Sequence, residues 1–418
     1  MAYRILDDGN QESYEGVDTD LIFIGFVGMM DPPRDAVSDA IKVCNKAGIE
    51  IKMITGDHPA TANAIAKEIG LISTGEDQKT ITGVDYYQKS KEEIEQTKVF
   101  ARISPEHKLN VVRTLHKKNY IVAVTGDGIN DAPALKSANI GIAMGIAGTD
   151  VAKEAASMIL TDDNFATIVS AVKKGRNIYE NILKTIFYLL SCNIGEILVI
   201  FVWIVIGVNI FTSGEIISVL PLIPLQILWI NLITDALPAL SLAKEPEDPK
   251  LMDHAPRRVD EPVFTKRFTV NIIILGTLIC IGTLILFQYG LHNGAQMWGL
   301  GGAENEEKIY RYATTLAFMT VTFFENWNIF ASRSLRNSIF KLKSRNYYMY
   351  LALIVAIILQ ATVVYIPVLN PVFHTCPLGV LDWVLIIGIS SSIIWVTEAY
   401  KALWKWWDRR HPSENENK

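Results

Sequence analysis

Two aspartates, Asp127 and Asp131, stand four residues apart in the stretch TGDGINDAPALK at 125–136, behind the apolar run 121–124. Carboxylates at that spacing suit a hard divalent cation such as Mg²⁺, which takes oxygen ligands in near-octahedral geometry beside a phosphoryl group. Gly126 and Gly128 permit backbone angles that a side chain would forbid, and Pro133 suits the first turn of a following helix. A lone GDG reads as a polar turn. The strand, the second aspartate and the helix start together point further, to a phosphate-handling loop.

A second set of carboxylates lies in strongly apolar surroundings, where an ionisable group is expensive and marks an ion pathway by default. SCNIGE places Asn193 and Glu196 three residues apart, NLITD places Asn231, Thr234 and Asp235 at i, i+3 and i+4, and Glu325 precedes Asn328 by three. Each set therefore shares one helix face. Pro238 cannot donate to the carbonyl of Thr234, which loosens the helix beside Asp235. The expected donors are carboxylates, amides, a hydroxyl and carbonyls, without thiolate or imidazole. Such an oxygen-only set suits Ca²⁺, taken in flexible geometry, over soft metals, although Mn²⁺ also accepts hard oxygens. For any one of the asparagines alone, interhelical hydrogen bonding is the simpler reading. When the cation leaves, a proton is the cheaper companion for a buried carboxylate, so proton countertransport is expected.

The elements that must position these groups divide the chain in two. Up to about residue 181 the sequence is mixed and charged, with short apolar runs alternating with amphipathic stretches, which argues an α/β unit with a parallel sheet. Ligands in such sheets gather at the carboxyl ends of strands. Asp31, Thr55-Gly56-Asp57, Arg102 and Asp127 all fall at such ends. Beyond, six stretches reach the roughly 20 residues a bilayer core requires: 183–208, 217–241, 268–290, 311–331, 347–368 and 379–403. Residues 163–182 read as an amphipathic stalk helix, and 411–418 as a polar tail. Lys and Arg crowd alternate loops, at 244–267, 333–345 and after Tyr400. That pattern places both termini and the α/β unit in the cytoplasm of a multi-pass protein of the cell membrane. The start MAYRILDDGN lacks the features of a cleavable signal. A net charge of −5 argues against a nucleic-acid partner. The scattered Cys44, Cys192, Cys280 and Cys376 form neither a disulfide framework nor a metal cluster by spacing, and packing is the default role of Cys192.

The motifs DPPR (31–34), MITGD (53–57), FARISPEHK (100–108) and TGDGINDAPALK (125–136) occur in the order and spacing of the cation-pumping P-type ATPases, which the chain resembles nearly end to end. The resemblance implies an incomplete haloacid-dehalogenase-like, Rossmann-like phosphorylation domain over 1–162 and an all-α, six-helix transmembrane bundle over 183–410. It implies that Thr55 and Gly56 hold phosphoryl oxygens beside Asp57, that Lys108 neutralises phosphoryl charge, and that Asp127 and Asp131 manage Mg²⁺ with Asn130 close by. Arg102 and Asp31, at strand ends, are expected to bind cofactor. ATP is then the substrate, bound mostly by a nucleotide domain that lies outside this sequence. The membrane motifs resemble those of sarco/endoplasmic-reticulum-type calcium pumps and their bacterial relatives. By that likeness Asn193, Glu196, Thr234, Asp235 and Glu325 form one ion site, and Asn231 with Asp235 part of a second.

The family's phosphorylated aspartate lies in a DKTGT string, which does not occur here. Asp31 is a poor stand-in because Pro32 and Pro33 lack the N–H groups a phosphate cradle uses, and Asp18 and Asp20 precede their strand. The expectation is the C-terminal portion of an ATP-driven calcium transporter whose missing N-terminal half lies in the same or a separate chain. The alternatives are a pump for Mn²⁺ or another divalent cation, and a catalytically inactive remnant or partner subunit.

Overall fold

The computed structural model describes residues 1–3, 21–27, 32–73, 80–206, 219–257, 261–299, 302–342 and 344–410, arranged as two compact units, Met1–Val169 and Ser170–Lys418. Asp18, Asp20, Asp31 and the tail 411–418 lie outside the described residues.

In the first unit β1 (Ala2–Tyr3) and β2 (Ile22–Phe23) pair antiparallel, so the run expected to open the parallel sheet forms a small separate ladder. Then follow α1 (Ala36–Lys46), β3 (Met53–Ile54), α2 (Pro59–Glu68), β4 (Ile81–Thr82), α3 (Lys91–Gln96), β5 (Val99–Ala101) and α4 (Pro105–Lys117). The parallel sheet β3-β5-β4 aligns Met53 with Val99 and Ile81 with Phe100. After it come β6 (Ala123–Gly126), α5 (Ala132–Ser137), β7 (Ile140–Met144), α6 (Asp150–Ala155) and β8 (Met158–Leu160). These strands form a second parallel sheet, β6-β7-β8, aligning Ala123 with Ile140 and Ile142 with Met158. The single sheet expected from the alternation is thus two three-stranded sheets, with β3 and β6 each at an edge among the described residues.

Strand side chains alternate between faces, and the cores follow that rule. Val99 and Ala101 of β5 pack with Ile41, Ala62 and Ala66 from α1 and α2, while Phe100 packs on the other face with Val111 and Leu115 of α4. Val112, one position round α4, packs instead with Val124, Leu135 and Ala143 of the second sheet's layer. α4 is therefore buried on two faces, which fixes where its first turn can aim Lys108.

A single helix, α7 (Phe165–Ile206), covers both the expected stalk and the first expected span. The second unit continues with α8 (Pro224–Trp229), a π-helical turn at Ile230–Thr234 and α9 (Ala236–Ala243). It ends with α10 (Lys266–Trp298), α11 (Ala303–Ser332), α12 (Tyr347–Tyr365), the short α13 (Asn370–Phe373) and α14 (Val380–Arg410). Among the described residues, 5 helices are long and apolar enough to cross a membrane. Those five are α7, the α8–α9 segment, α10, α12 and α14. The remaining expected span, 311–331, falls in α11, a 30-residue helix whose inner face is the core of the unit, with Leu316, Phe318, Met319, Val321 and Phe324 fully buried. Its surroundings are protein rather than solvent, which explains why it carries so many threonines, bonded to its own backbone carbonyls. Where α7 crosses α10, a Cβ on Gly195 would lie 2.8 Å from Ile279 and one on Gly276 would lie 2.6 Å from Ile194. Glycine at both positions lets the backbones approach, one residue before Glu196.

Candidate phosphoryl and ion sites

Thr55, Gly56 and Asp57 leave the end of β3 as a tied turn. The Thr55 hydroxyl donates to Asp57 Oδ2 at 2.9 Å and accepts the Asp57 N–H at 3.1 Å. The Arg102 N–H donates to the Asp57 carbonyl at 3.0 Å, and the Ile103 N–H to the Thr55 carbonyl at 3.1 Å, which joins the MITGD and FARI motifs into one backbone unit. Arg102 reaches this bond with φ of 52°, in the left-handed region, and its side chain is exposed. A Cβ on Gly56 would meet nothing within 4 Å. The space above this exposed turn admits an outside group against the backbone.

Lys108 enters from the first turn of α4, where Ser104 caps the helix by accepting the His107 N–H. Its ammonium lies 2.7 Å from Asp131 Oδ1, with both side chains largely covered. Asp131 Oδ2 accepts the N–H groups of Asp127 at 3.1 Å and Gly128 at 3.3 Å. The two aspartates expected to act alike therefore divide. Asp131 is engaged at both oxygens and organises the loop, whereas the exposed Asp127 carboxylate has no hydrogen bond or ion pair among the described residues and is free for a cation. The backbone carbonyl of Asp127 accepts the Thr149 N–H at 2.8 Å. Asn130 sits exposed in the 3₁₀ turn Ile129–Asp131 beside it.

One residue of this unit escaped the sequence reading. Asp163, at φ 49°, accepts the N–H groups of Gly145 at 2.6 Å, Ile146 at 3.1 Å and Ala147 at 2.7 Å, pinning the loop after β7. These amides, the Ala147 N–H foremost, hold its carboxyl below the ordinary value of 3.8. Arg34 of the DPPR motif donates to the neighbouring Asp162 carbonyl at 3.2 Å. The signal was available in the run TDDN, whose residues favour local bonds to backbone amides.

In the second unit, Glu196 of α7, Asp235 after the π-helical turn and Glu325 of α11 are 4%, 1% and 1% exposed. The wide turn closes through the Asp235 N–H on the Ile230 carbonyl at 2.9 Å, an i to i+5 bond, just before Pro238, as the loosened helix led one to expect. Asn231 donates to Glu196 Oε2 at 2.7 Å, and the Tyr188 hydroxyl donates to Asp235 Oδ1 at 2.8 Å. Glu196 Oε1, Asp235 Oδ2 and both oxygens of Glu325 are buried without a hydrogen-bond partner among the described residues. Buried carboxylate oxygens in that state demand a cation or protons.

Thr234 and Asn193, both expected as ligands, each donate to their own helix, bonds that use the hydroxyl hydrogen and the amide NH₂ rather than the oxygen lone pairs a cation would take. The Thr234 hydroxyl donates to the Ile230 carbonyl at 2.9 Å and the Asn193 amide to the Leu189 carbonyl at 2.7 Å. Sequence reasoning missed Tyr188, although Tyr188, Cys192 and Glu196 recur every fourth residue and so share a face. It also left the site oxygen-only. Cys192 Sγ, an Asp235 oxygen and a Glu325 oxygen lie within 4.8 Å of one another, all three residues buried. Asn328, on the Glu325 face of α11, donates to Ser191 Oγ at 2.7 Å and to Cys192 Sγ at 3.5 Å.

Two family models match the chain. One describes haloacid dehalogenase-like hydrolases, over residues 5–139, and the other the C-terminus of cation transporting ATPases, over residues 219–403. A calcium-transporting ATPase of Bacillus subtilis is 42% identical over 395 residues, covering 94% of this chain and 42% of that protein. Calcium-transporting ATPase 1 of Bacillus cereus is 43% identical over 411 residues, covering 96% of this chain and 44% of that protein. An endoplasmic reticulum-type calcium-transporting ATPase 4 of Arabidopsis thaliana is 34% identical over 441 residues, covering 94% and 41% respectively. The chain thus spans less than half the length of these relatives. With a hydrolase-like α/β unit, membrane-length helices and these matches along most of its length, the chain is similar to the P-type cation-transporting ATPases, and residues 219–403 to their C-terminus.

Proposed function

We propose that this chain provides the Mg²⁺-phosphoryl end and the ion-binding bundle of an ATP-driven calcium pump. The observation that carries the reading is the set of buried, unpartnered oxygens on Glu196, Asp235 and Glu325. A transported dication satisfies them, and hard oxygen donors in a flexible cluster favour Ca²⁺. That the similar proteins quoted above are named as calcium transporters supports calcium over Mn²⁺. The α11 helix is counted as a sixth span, giving an even number with both termini on the cytoplasmic face of the cell membrane.

In the α/β unit, Asp127 is the proposed Mg²⁺ ligand, because its carboxylate is exposed and uncommitted, with Asp131 holding the loop through Lys108 and two backbone amides. Mg²⁺ there supplies positive charge next to phosphoryl oxygens. Gly56 offers an uncovered backbone to the same group and Thr55 a hydroxyl once it releases Asp57, and Lys108, held on Asp131, supplies positive charge to neutralise developing charge. Phosphoryl transfer needs little beyond such positioning and electrostatic stabilisation. The acceptor aspartate must come from residues outside these 418, since DKTGT is not among them. Strand edges at β3 and β6, each carrying one of the phosphate motifs at its end, are suited to a further strand between them.

ATP-dependent uptake of radioactive calcium into inverted membrane vesicles from cells carrying the intact gene tests the reading. Uptake abolished by Glu325→Gln is expected. Uptake of full rate in that variant would overturn it. Acidification or alkalinisation of the lumen during uptake, without ionophore, tests proton countertransport, and a constant lumenal pH would exclude it.

A further inference from the structure

The cluster at the bundle centre contains a sulfur atom that the oxygen-only reading does not use. Cys192 is 0% exposed, and its Sγ faces one oxygen each of Asp235 and Glu325, the three ligand atoms mutually within 4.8 Å. Atoms so spaced are bridged by one ion whose bonds run about 2.3–2.6 Å, the range of thiolate and carboxylate coordination. Asp235 Oδ2 and both Glu325 oxygens are buried without partners, so the position is built for positive charge independently of the cysteine. The Asn328 amide approaches the sulfur as a donor, at 3.5 Å.

We propose that Cys192 is a sulfur ligand in this site, and that the cluster accordingly takes thiophilic divalent cations of about calcium's size in competition with Ca²⁺. Soft thiolate ligands select soft or borderline metals, whereas a hydroxyl at the same place does not. On binding, the S–H bond breaks, a metal–sulfur bond forms, and the proton leaves to water, so affinity rises with pH. Two carboxylates and one thiolate then surround the dication. The inference rests on the reading of this cluster as the cargo site.

The test uses the full chain purified in detergent, with Cd²⁺ as probe and Ca²⁺ as competitor. Wild type should show a sulfur-to-cadmium charge-transfer band in the ultraviolet that Ca²⁺ displaces. Cys192→Ser should lose the band and shift the ratio of Cd²⁺ to Ca²⁺ affinity by at least about tenfold, the size metal-site substitutions commonly produce. Cys192→Ala should lose the band as well, at unchanged helical circular dichroism, and Cys280→Ser, on a different part of the bundle, should keep it. A band that survives in either Cys192 variant, or an unmoved affinity ratio, overturns the proposal. Wild type that binds Cd²⁺ through Cys192 but binds no Ca²⁺ overturns the cargo reading instead, and competition with it.

Discussion

A Cβ placed on Gly126 would lie 2.5 Å from Asp131 Cβ and 2.6 Å from its Oδ2, so the last residue of β6 has no side chain because the aspartate five residues on occupies that space. The close approach lets Asp131 take the amides of Asp127 and Gly128 while holding Lys108. Gly126→Ala forces either strand or aspartate to move, and overpacking of this kind costs about 1–3 kcal/mol. The full chain should show that loss in the denaturation of its α/β unit, followed by near-ultraviolet signals. An unchanged midpoint would mean that the loop yields freely.

The unequal state of the two aspartates predicts unequal variants. Asp127→Asn should leave stability within about 0.5 kcal/mol, as for an uncommitted surface position, while removing most Mg²⁺ affinity in calorimetric titration. Asp131→Asn should instead destabilise the unit by about 1–3 kcal/mol through a partly buried lysine left without its carboxylate. Equal effects on stability would refute the division of roles.

Asp163 should make the α/β unit acid-sensitive. Its carboxyl is held below the ordinary 3.8 by backbone amides, so its stabilising contribution is complete above that value and is lost as pH falls through the lower folded one. Asp163→Asn should therefore lower stability near neutrality and flatten the decline below about pH 4, near the unperturbed aspartate value. Parallel acid-unfolding curves for the two proteins would count against this.

Tyr188 acts on the ion cluster through Asp235, its hydroxyl bonded to Oδ1 at 2.8 Å. Tyr188→Phe keeps the ring in its fully buried place and removes only the donor. Partners that orient ligands of a metal commonly carry about 10–100-fold in affinity. Calcium binding by equilibrium dialysis should weaken within that range, while Leu189→Ala, at the next position of the same helix and without a polar group, should not reproduce it.

Much of this was legible in the sequence because it is local. The DGIND loop, the turn at Thr55, the shared faces of Asn231, Thr234 and Asp235, and the loosening ahead of Pro238 all depend on residues a few positions apart, where helix and turn periodicities apply directly. The α/β class and the membrane-length helices followed from alternation and apolar length, and the haloacid-dehalogenase-like likeness from the motifs. Boundaries were less legible. The α7 helix merges stalk and span because no Gly-Pro break separates them, and the parallel strands divide into two sheets because strand pairing is set by residues far apart in the chain.

What only the tertiary structure decided is which polar atoms remain uncommitted. Asp127 and Asp131 look equivalent in sequence, yet Lys108, brought over by a helix buried on two faces, claims only Asp131. Asn193 and Thr234 turn their NH₂ and hydroxyl hydrogens on their own helices, which orients the oxygens. Cys192, by spacing a packing residue, is set against Asp235 and Glu325 by the crossing of three helices. Sequence fixes donor types and local faces; the choice of partner belongs to packing, since a buried oxygen is satisfied by whatever distant group the fold brings within about 3 Å.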